Sequence, residues 1–483
     1  MGQQVQYKSR SSRTVLSVVL LFILLTGVAV PKSEAQTRLI VRDTLGLSNL
    51  LNLCNLLGCT VDRGLGDPDG QLFLVKSLPI VNALDLQSLL HLNIGIVSVE
   101  VDQVVKTQGA DAGPAPYNLT DRTPVNYYGT TVWRGYLNQP AAQLIDINHT
   151  QTQFKATGSG VVVAVIDTGV DTTHPVLKNS LVTGYDFTTN QSGGSEDAGV
   201  TQSTVGVMDA RNGSGPSTSS RPGRVSQSTV AVLDQSTVAV LDNPDYAAFG
   251  HGTMVAGIVH LVAPQAKVMP LKAFLPDGSG YNSDILNAIY YAVDHGAKVI
   301  NMSFNYTSYS SELKKAIDYA SSKGVICVAA AGNNGVQTSV YPGAFKNVID
   351  VASTDNNDIQ SNFSNYGAPP VWLAAPGEGI VTTYPFGTYA AGWGTSFSAP
   401  LVTGTAALMV GMNNTQTSTQ TTLSFGSLSI TISLQCALSV PSSQQQVANA
   451  LKHADNISAP QLGYGRLDTF QSVNAWKQSM GLR

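Results

Sequence analysis

The sequence predicts an α/β fold: a mostly parallel central sheet covered by helices on both faces, preceded by a small α+β unit. Three observations carry that reading. From about residue 158, apolar runs of strand length alternate with helical stretches, as in strands buried on both faces. Residues 36–106 instead run strand, helix, strand, helix, strand, with leucines at helical spacing in the helices. Between the two lies 107–125 (TQGADAGPAPYNLTDRTPV), rich in Gly, Ala, Pro and Thr, which reads as a linker.

The elements follow in order. Lys8, Arg10 and Arg13 precede an apolar run from Val15 to Val30, and Ser33-Glu34-Ala35 places small residues where a signal peptidase reads. The run is shorter than the ~20 apolar residues that span a bilayer, so 1–35 is expected to be a cleaved export signal. In 36–106, Arg38–Val41, Gln71–Val75 and Gly95–Val101 read as strands, and Leu47–Leu57 and Val81–Leu92 as helices. That order predicts a ferredoxin-like unit. Cys54 and Cys59 are close enough to pair in an oxidising compartment, whereas Cys327 sits in an apolar run and reads as a buried hydrophobe.

In the larger part, the expected strands are Val161–Asp167, Lys267–Phe274, Lys298–Phe304, Val325–Ala331, Val348–Ala352 and Val371–Ala375. Helices are expected at Met254–Val262, Ser283–His295, Ser311–Lys323, Leu401–Val410 and Ser442–His453. Sheets of this kind hold ligands at the carboxyl ends of their strands. Two insertions break the rhythm: 187–247, which repeats QSTVGVMD, QSTVAVLD and QSTVAVLD, and 412–440. The formal net charge is −4, and no basic tract or basic amphipathic stretch points to nucleic acid or a membrane surface. No cysteine or histidine spacing predicts a metal site.

Four segments carry chemistry. In Gly394-Thr395-Ser396-Phe397-Ser398-Ala399-Pro400, Ser396 opens an apolar helix dense in small residues. A helix amino end offers N–H groups and positive potential where acyl transfer develops negative charge. Val161–Asp167 ends an apolar strand in an acid, which is costly to bury without a partner. Gly250-His251-Gly252-Thr253 sets a histidine at a helix start, with flanking glycines expected to leave room for a substrate chain. Asn333, in Ala329-Ala330-Ala331-Gly332-Asn333-Asn334-Gly335, presents an amide at a strand end. Together these supply an acid to orient an imidazole, a base near neutrality, a hydroxyl to activate and an oxyanion donor.

IDTGVD, GHGTMVAG, AAAGNNG and GTSFSAP, in that order, resemble the subtilisin-like serine proteases, over about residues 126–475. The resemblance implies a subtilisin-like three-layer fold, with a peptidase domain at 126–483. It implies a catalytic triad of Asp167, His251 and Ser396, with Asn333 and the Ser396 amide binding the oxyanion. Ser303, Phe304, Asn305 and Gly332 would bind extended substrate. Residues 36–106 resemble the family's propeptide, an intramolecular chaperone and inhibitor.

The expected partners are therefore protein or peptide substrates and the chain's own propeptide. The expected location is extracellular or periplasmic, with no membrane attachment after signal cleavage. No organic cofactor is implied; calcium stabilises many members, but no carboxylate cluster marks a site here. Met254 and Trp393 depart from the family's pattern, as do Asn305 and Tyr306, where glycines are usual; the last two and Trp393 are expected to shape the cleft. The 187–247 insertion is a candidate lid. The rival expectation is a latent or inactive protease-like scaffold acting as a binding protein.

Overall fold

The computed structural model describes residues 36–78, 81, 83–106, 116–196, 230–232, 247–367, 371–412, 418–425, 428–435 and 443–482. The predicted export signal and most of the 187–247 insertion lie outside them, as do 107–115 of the predicted linker.

The small unit holds β1 (Arg38–Asp43), α1 (Leu47–Leu57), β2 (Cys59–Gly64), β3 (Leu72–Ser77), α2 (Ala83–His91) and β4 (Ile96–Val101), followed by β5 (Val104–Lys106). Its sheet order, β2-β3-β1-β4, is the split βαβ arrangement. β2 was not separated from β3 in the sequence reading, because Cys59–Gly64 alternates weakly and follows α1 across one glycine. That residue, Gly58, closes α1 in the left-handed conformation at φ 76°, which glycine adopts without penalty. Leu39, Val41, Leu50, Phe73, Val75, Leu86 and Leu90 form the unit's own core, and Cys54 and Cys59 are joined by a disulfide.

The predicted linker ends earlier than its composition suggested. Tyr117–Thr120 is a short 3₁₀ helix, and β6 (Pro124–Tyr127) pairs with β7 (Thr130–Trp133). Leu119 and Val132 belong to the main core, so burial overrides the loop-like composition of 116–125.

The central sheet takes β8 (Val162–Asp167), β9 (Gly184–Asp186) and β10 (Gln191–Gly193). After β11 (Val230–Val232) come β12 (Lys267–Lys272), β13 (Ser279–Tyr281), β14 (Val299–Met302), β15 (Ile326–Ala330), β16 (Ile349–Thr354) and β17 (Val371–Pro376). Eight of these form one sheet in the order β10-β9-β12-β8-β14-β15-β16-β17, parallel except for the β10–β9 pair. Two apolar cores sandwich it. One packs α3 (His251–Val262) and the 18-residue α4 (Thr395–Met412); the other packs helices Asn282–Asp294 and Ser311–Ser322. The α4 helix has the length and apolarity of a bilayer span, but 89% of it is buried in the core.

Further antiparallel pairing closes one end: β18 (Ile380–Tyr384) pairs with β19 (Thr388–Gly392), and β11 of the repeat insertion adds to β19. The 412–440 segment contributes the hairpin β20 (Ser418–Phe425) and β21 (Leu428–Gln435). The last predicted helix shortens to Gln444–Ala450, where Ser443 and Gln446 form a capping box.

Candidate active site

Asp167 ends β8 and His251 opens α3, so the fold brings two residues 84 positions apart to one point. His251 Nδ1 lies 2.7 Å from Asp167 Oδ1, which also accepts the Thr168 amide at 2.8 Å. Both side chains are buried, and His251 Nε2 has no partner among the described residues. Burial alone would hold the imidazole below its ordinary value. The Asp167 carboxylate, by charge and hydrogen bond, and Glu196 beyond it outweigh that and leave it raised.

Ser396 stands in the first turn of α4, buried to 2% exposure. Its hydroxyl donates to the Ser303 carbonyl at 3.1 Å, and the Ser303 hydroxyl donates to the Ser396 carbonyl at 2.8 Å. The Ser396 hydroxyl therefore rests on Ser303, the residue just beyond β14. The hydrogen bond between a nucleophile and its base often forms only when substrate is bound.

Asn333 follows β15 and leans on the same helix start: its Oδ1 accepts from the Thr395 amide at 2.8 Å and the Thr395 hydroxyl at 2.9 Å. Those bonds fix the side-chain amide with its oxygen towards Thr395. A Cβ on Gly394 would stand 3.3 Å from Asn333 Nδ2. Ser303, Asn305 and Gly332 lie around this point, a Cβ on Gly332 meeting the Asn305 side chain at 3.1 Å, whereas the Phe304 ring packs in the core against Phe274. Among the described residues no group of three or more His, Cys, Asp or Glu side chains is placed to hold a metal.

The order and setting of these residues have a counterpart in known proteins. The family model of the subtilase family matches residues 158–465. The chain belongs to the subtilase family. Thermitase of Thermoactinomyces vulgaris is 36% identical over 264 residues, 53% of this chain and 76% of that protein. A thermophilic serine proteinase of Bacillus sp. (strain AK1) is 35% identical over 59% of this chain and 60% of its own length. Subtilisin BL of Lederbergia lenta is 39% identical over 33% of this chain and 62% of its own. The chain thus spans about three fifths of the latter two. By family it is a serine-type endopeptidase, a class that works without an organic cofactor.

Within this subtilase, several expectations need correction. The glycines beside His251 do not make room for substrate: a Cβ on Gly250 would fall 2.2 Å from the Tyr384 ring, and one on Gly252 2.0 Å from the Gly169 carbonyl. They let protein, not ligand, approach. Trp393 is 3% exposed and belongs to the core under α4, so it does not line the cleft. Met254 is likewise buried, its carbonyl accepting from Thr382. Tyr306 turns its hydroxyl to Asn282 at 2.9 Å, while Asn305 stays in the wall.

One residue of the site was missed. Glu196, at the start of the repeat insertion, is buried and accepts four strong hydrogen bonds: Thr168 Oγ1 and Gly250 N to Oε1, Thr253 N and Thr253 Oγ1 to Oε2. Burial pushes its carboxyl up to about 7 against those bonds and the nearby Lys272 charge. The only sequence signal was an acid beside two glycines in a segment otherwise rich in Ser and Thr, and it pointed to a loop.

Proposed function

We propose that this subtilase is a secreted endopeptidase that cleaves peptide bonds through an acyl-enzyme on Ser396. The observation that carries the reading is the 2.7 Å Asp167–His251 contact, with the opposite imidazole nitrogen buried and unpartnered among the described residues and the ring 5.6 Å from that of Phe397, the residue after Ser396. In this mechanism Asp167 holds the imidazole with Nδ1–H towards itself, leaving Nε2 to take the Ser396 proton. The serine oxygen adds to the peptide carbonyl, and His251 passes the proton to the leaving amine. Water, deprotonated by the same imidazole, then cleaves the ester. The Ser396 amide and the Asn333 side-chain amide would hold the oxyanion, a donor of the second kind being worth about 3–4 kcal/mol. Ser303, Phe304, Asn305 and Gly332 would line the substrate strand.

Residues 36–106 would serve as the inhibitory propeptide, and the contacts support that role. Glu100 accepts from Ser310 Oγ, Ser311 N, Ser311 Oγ and Glu312 N, capping helix Ser311–Ser322. Asp102 caps helix Asn282–Asp294 through Ser283 N and Oγ at 2.8 Å each. β5 pairs antiparallel with β13, leading the chain on from Lys106. The apolar N-terminal run supports export, to the exterior or periplasm, with no membrane attachment after cleavage.

These buried contacts also favour a second reading, a protease held latent until the chain between the two units is cut. The test is fluorophosphonate labelling of the secreted protein beside a Ser396→Ala control, with the mass of the labelled species. Labelling confined to the wild type, on a species lacking 36–106, is expected. No labelling of a folded, processed protein overturns the endopeptidase reading.

A further inference from the structure

β14, β15 and β16 lie side by side, and Met302, Ala329 and Asp350 stand in one cross-strand row. Met302 and Ala329 face the same apolar core, so Asp350, in register with Ala329, projects to that face too. It is 1% exposed, and its Oδ1 has no hydrogen-bond partner among the described residues. Burial pushes the carboxyl up to about 7. The Val351 amide bonds the carboxyl, but a buried carboxylate oxygen left without a donor is costly, and a native fold rarely keeps one without a use.

Asp350 packs against a segment that is joined to the Ser303–Tyr306 stretch. A Cβ on Gly343 would lie 2.2 Å from Asp350 Oδ1, so the carboxylate occupies the room this glycine leaves. The segment carrying Gly343 is pinned to the Ser303–Tyr306 wall: Tyr306 N donates to Tyr341 O at 2.9 Å and Tyr341 N to Tyr306 O at 2.8 Å. The facing wall, Ala331–Asn333, continues β15, and both walls abut α4 through Ser303 and Asn333. Between them Asn305 is 2% exposed, and its Oδ1 is a second buried acceptor without a partner. From the level of Ala329 to Gly332 the strand rises about 10 Å, the reach of a long side chain plus one hydrogen bond.

We propose that the region between these two segments receives a lysine or arginine side chain from the substrate residue whose carbonyl Ser396 attacks, with Asp350 as counter-charge and Asn305 Oδ1 as a second acceptor. The proposal rests on the endopeptidase reading and names its substrate class. Two unmatched acceptors call for a ligand with several N–H donors, which these two side chains supply. An apolar side chain would leave both acceptors buried and unpaired, and sites built to pair polar groups reject ligands that cannot.

The test compares kcat/KM of the processed secreted enzyme on quenched peptides identical except for Arg, Lys, Phe or Leu before the scissile bond. The basic peptides are expected to be cut at least tenfold better. Asp350→Asn is expected to lower that preference ratio at least tenfold. Because a buried substitution can impair folding, a wild-type measurement accompanies it: benzamidine, an amidinium, is expected to inhibit competitively where neutral benzyl alcohol does not. Preference for Phe or Leu, an unchanged ratio in folded Asp350→Asn, or indifference to benzamidine each overturn the proposal. If the enzyme labels with fluorophosphonate and still prefers apolar peptides, this inference alone falls. Neither labelling nor hydrolysis removes the endopeptidase reading and this proposal with it.

Discussion

Glu196 Oε2 accepts both the amide and the hydroxyl of Thr253, two residues beyond His251, at 3.0 and 2.5 Å. Its other oxygen takes the Gly250 amide and the Thr168 hydroxyl, so one carboxylate ties the chain after Asp167 to the chain around His251. Thr168 Oγ1 in turn accepts the Gly252 amide at 3.0 Å, and Lys272 Nζ donates to the Thr168 carbonyl at 2.5 Å. The dyad is held from behind by a buried polar network.

Glu196→Gln keeps the shape and removes the charge. Asp167 and then Glu196 hold the His251 imidazole above its ordinary value, against burial. In the proposed mechanism the neutral imidazole is the working base, so the acid limb of the kcat/KM profile is expected to move to lower pH in the variant. A limb that stays in place would mean the carboxylate only braces the two segments.

The same group makes stability fall with pH. Its carboxyl is raised from 4.5 to about 7, so the folded state binds the proton more tightly than the unfolded chain. That stability is complete below about pH 4.5 and is lost as pH rises through 7. Urea denaturation should show wild type losing stability relative to Glu196→Gln between pH 5 and pH 7, by at most ~1.4 kcal/mol per pH unit.

Asn333→Ala should lower kcat by roughly 10²–10³-fold with little change in KM, since its amide would act on the oxyanion rather than on bound substrate. Equal losses in kcat and in affinity would instead reflect the freed Thr395 amide and a disturbed helix start, which circular dichroism and the urea midpoint would register.

Glu100→Gln should loosen the hold of 36–106. The carboxylate accepts three of its four bonds at 2.6–2.8 Å, all from backbone or hydroxyl groups at a helix start where negative charge is favoured. At matched protein concentration, less of the small unit should co-purify with processed enzyme, and activity should appear sooner. Identical retention would place the grip in Arg42, whose guanidinium pairs with both Asp67 and Glu312.

The sheet and the helix starts at His251 and Ser396 were legible because they rest on local signals: apolar strands, one of them ending in Asp167, and short motifs opening the helices. Some strand ends were misread: β12, β14 and β15 stop before Phe274, Phe304 and Ala331, apolar residues beyond the ladder, whereas β16 and β17 run on to Thr354 and Pro376. What the sequence did not disclose depends on distance along the chain. Glu196 meets Thr253 across 57 residues, and Arg42 meets Glu312 across 270, and nothing local marks either pair. β18 and β19 were missed because Ile380–Tyr384 is short and sits among glycines and prolines that read as loop. The role assumed for Gly250 and Gly252 failed for a related reason: a motif shows that space is needed, but only the fold says who fills it.

The Cys54–Cys59 bond closes a loop of the small unit upon itself and reaches no residue of the larger one. A single break in the backbone between Lys106 and Tyr117 therefore ends every covalent tie between them. What had been a tethered contact, at an effective concentration set by chain length, becomes an ordinary bimolecular equilibrium. Retention of the small unit then falls on dilution, and a protein crowded at its site of synthesis would unmask itself by diffusing away.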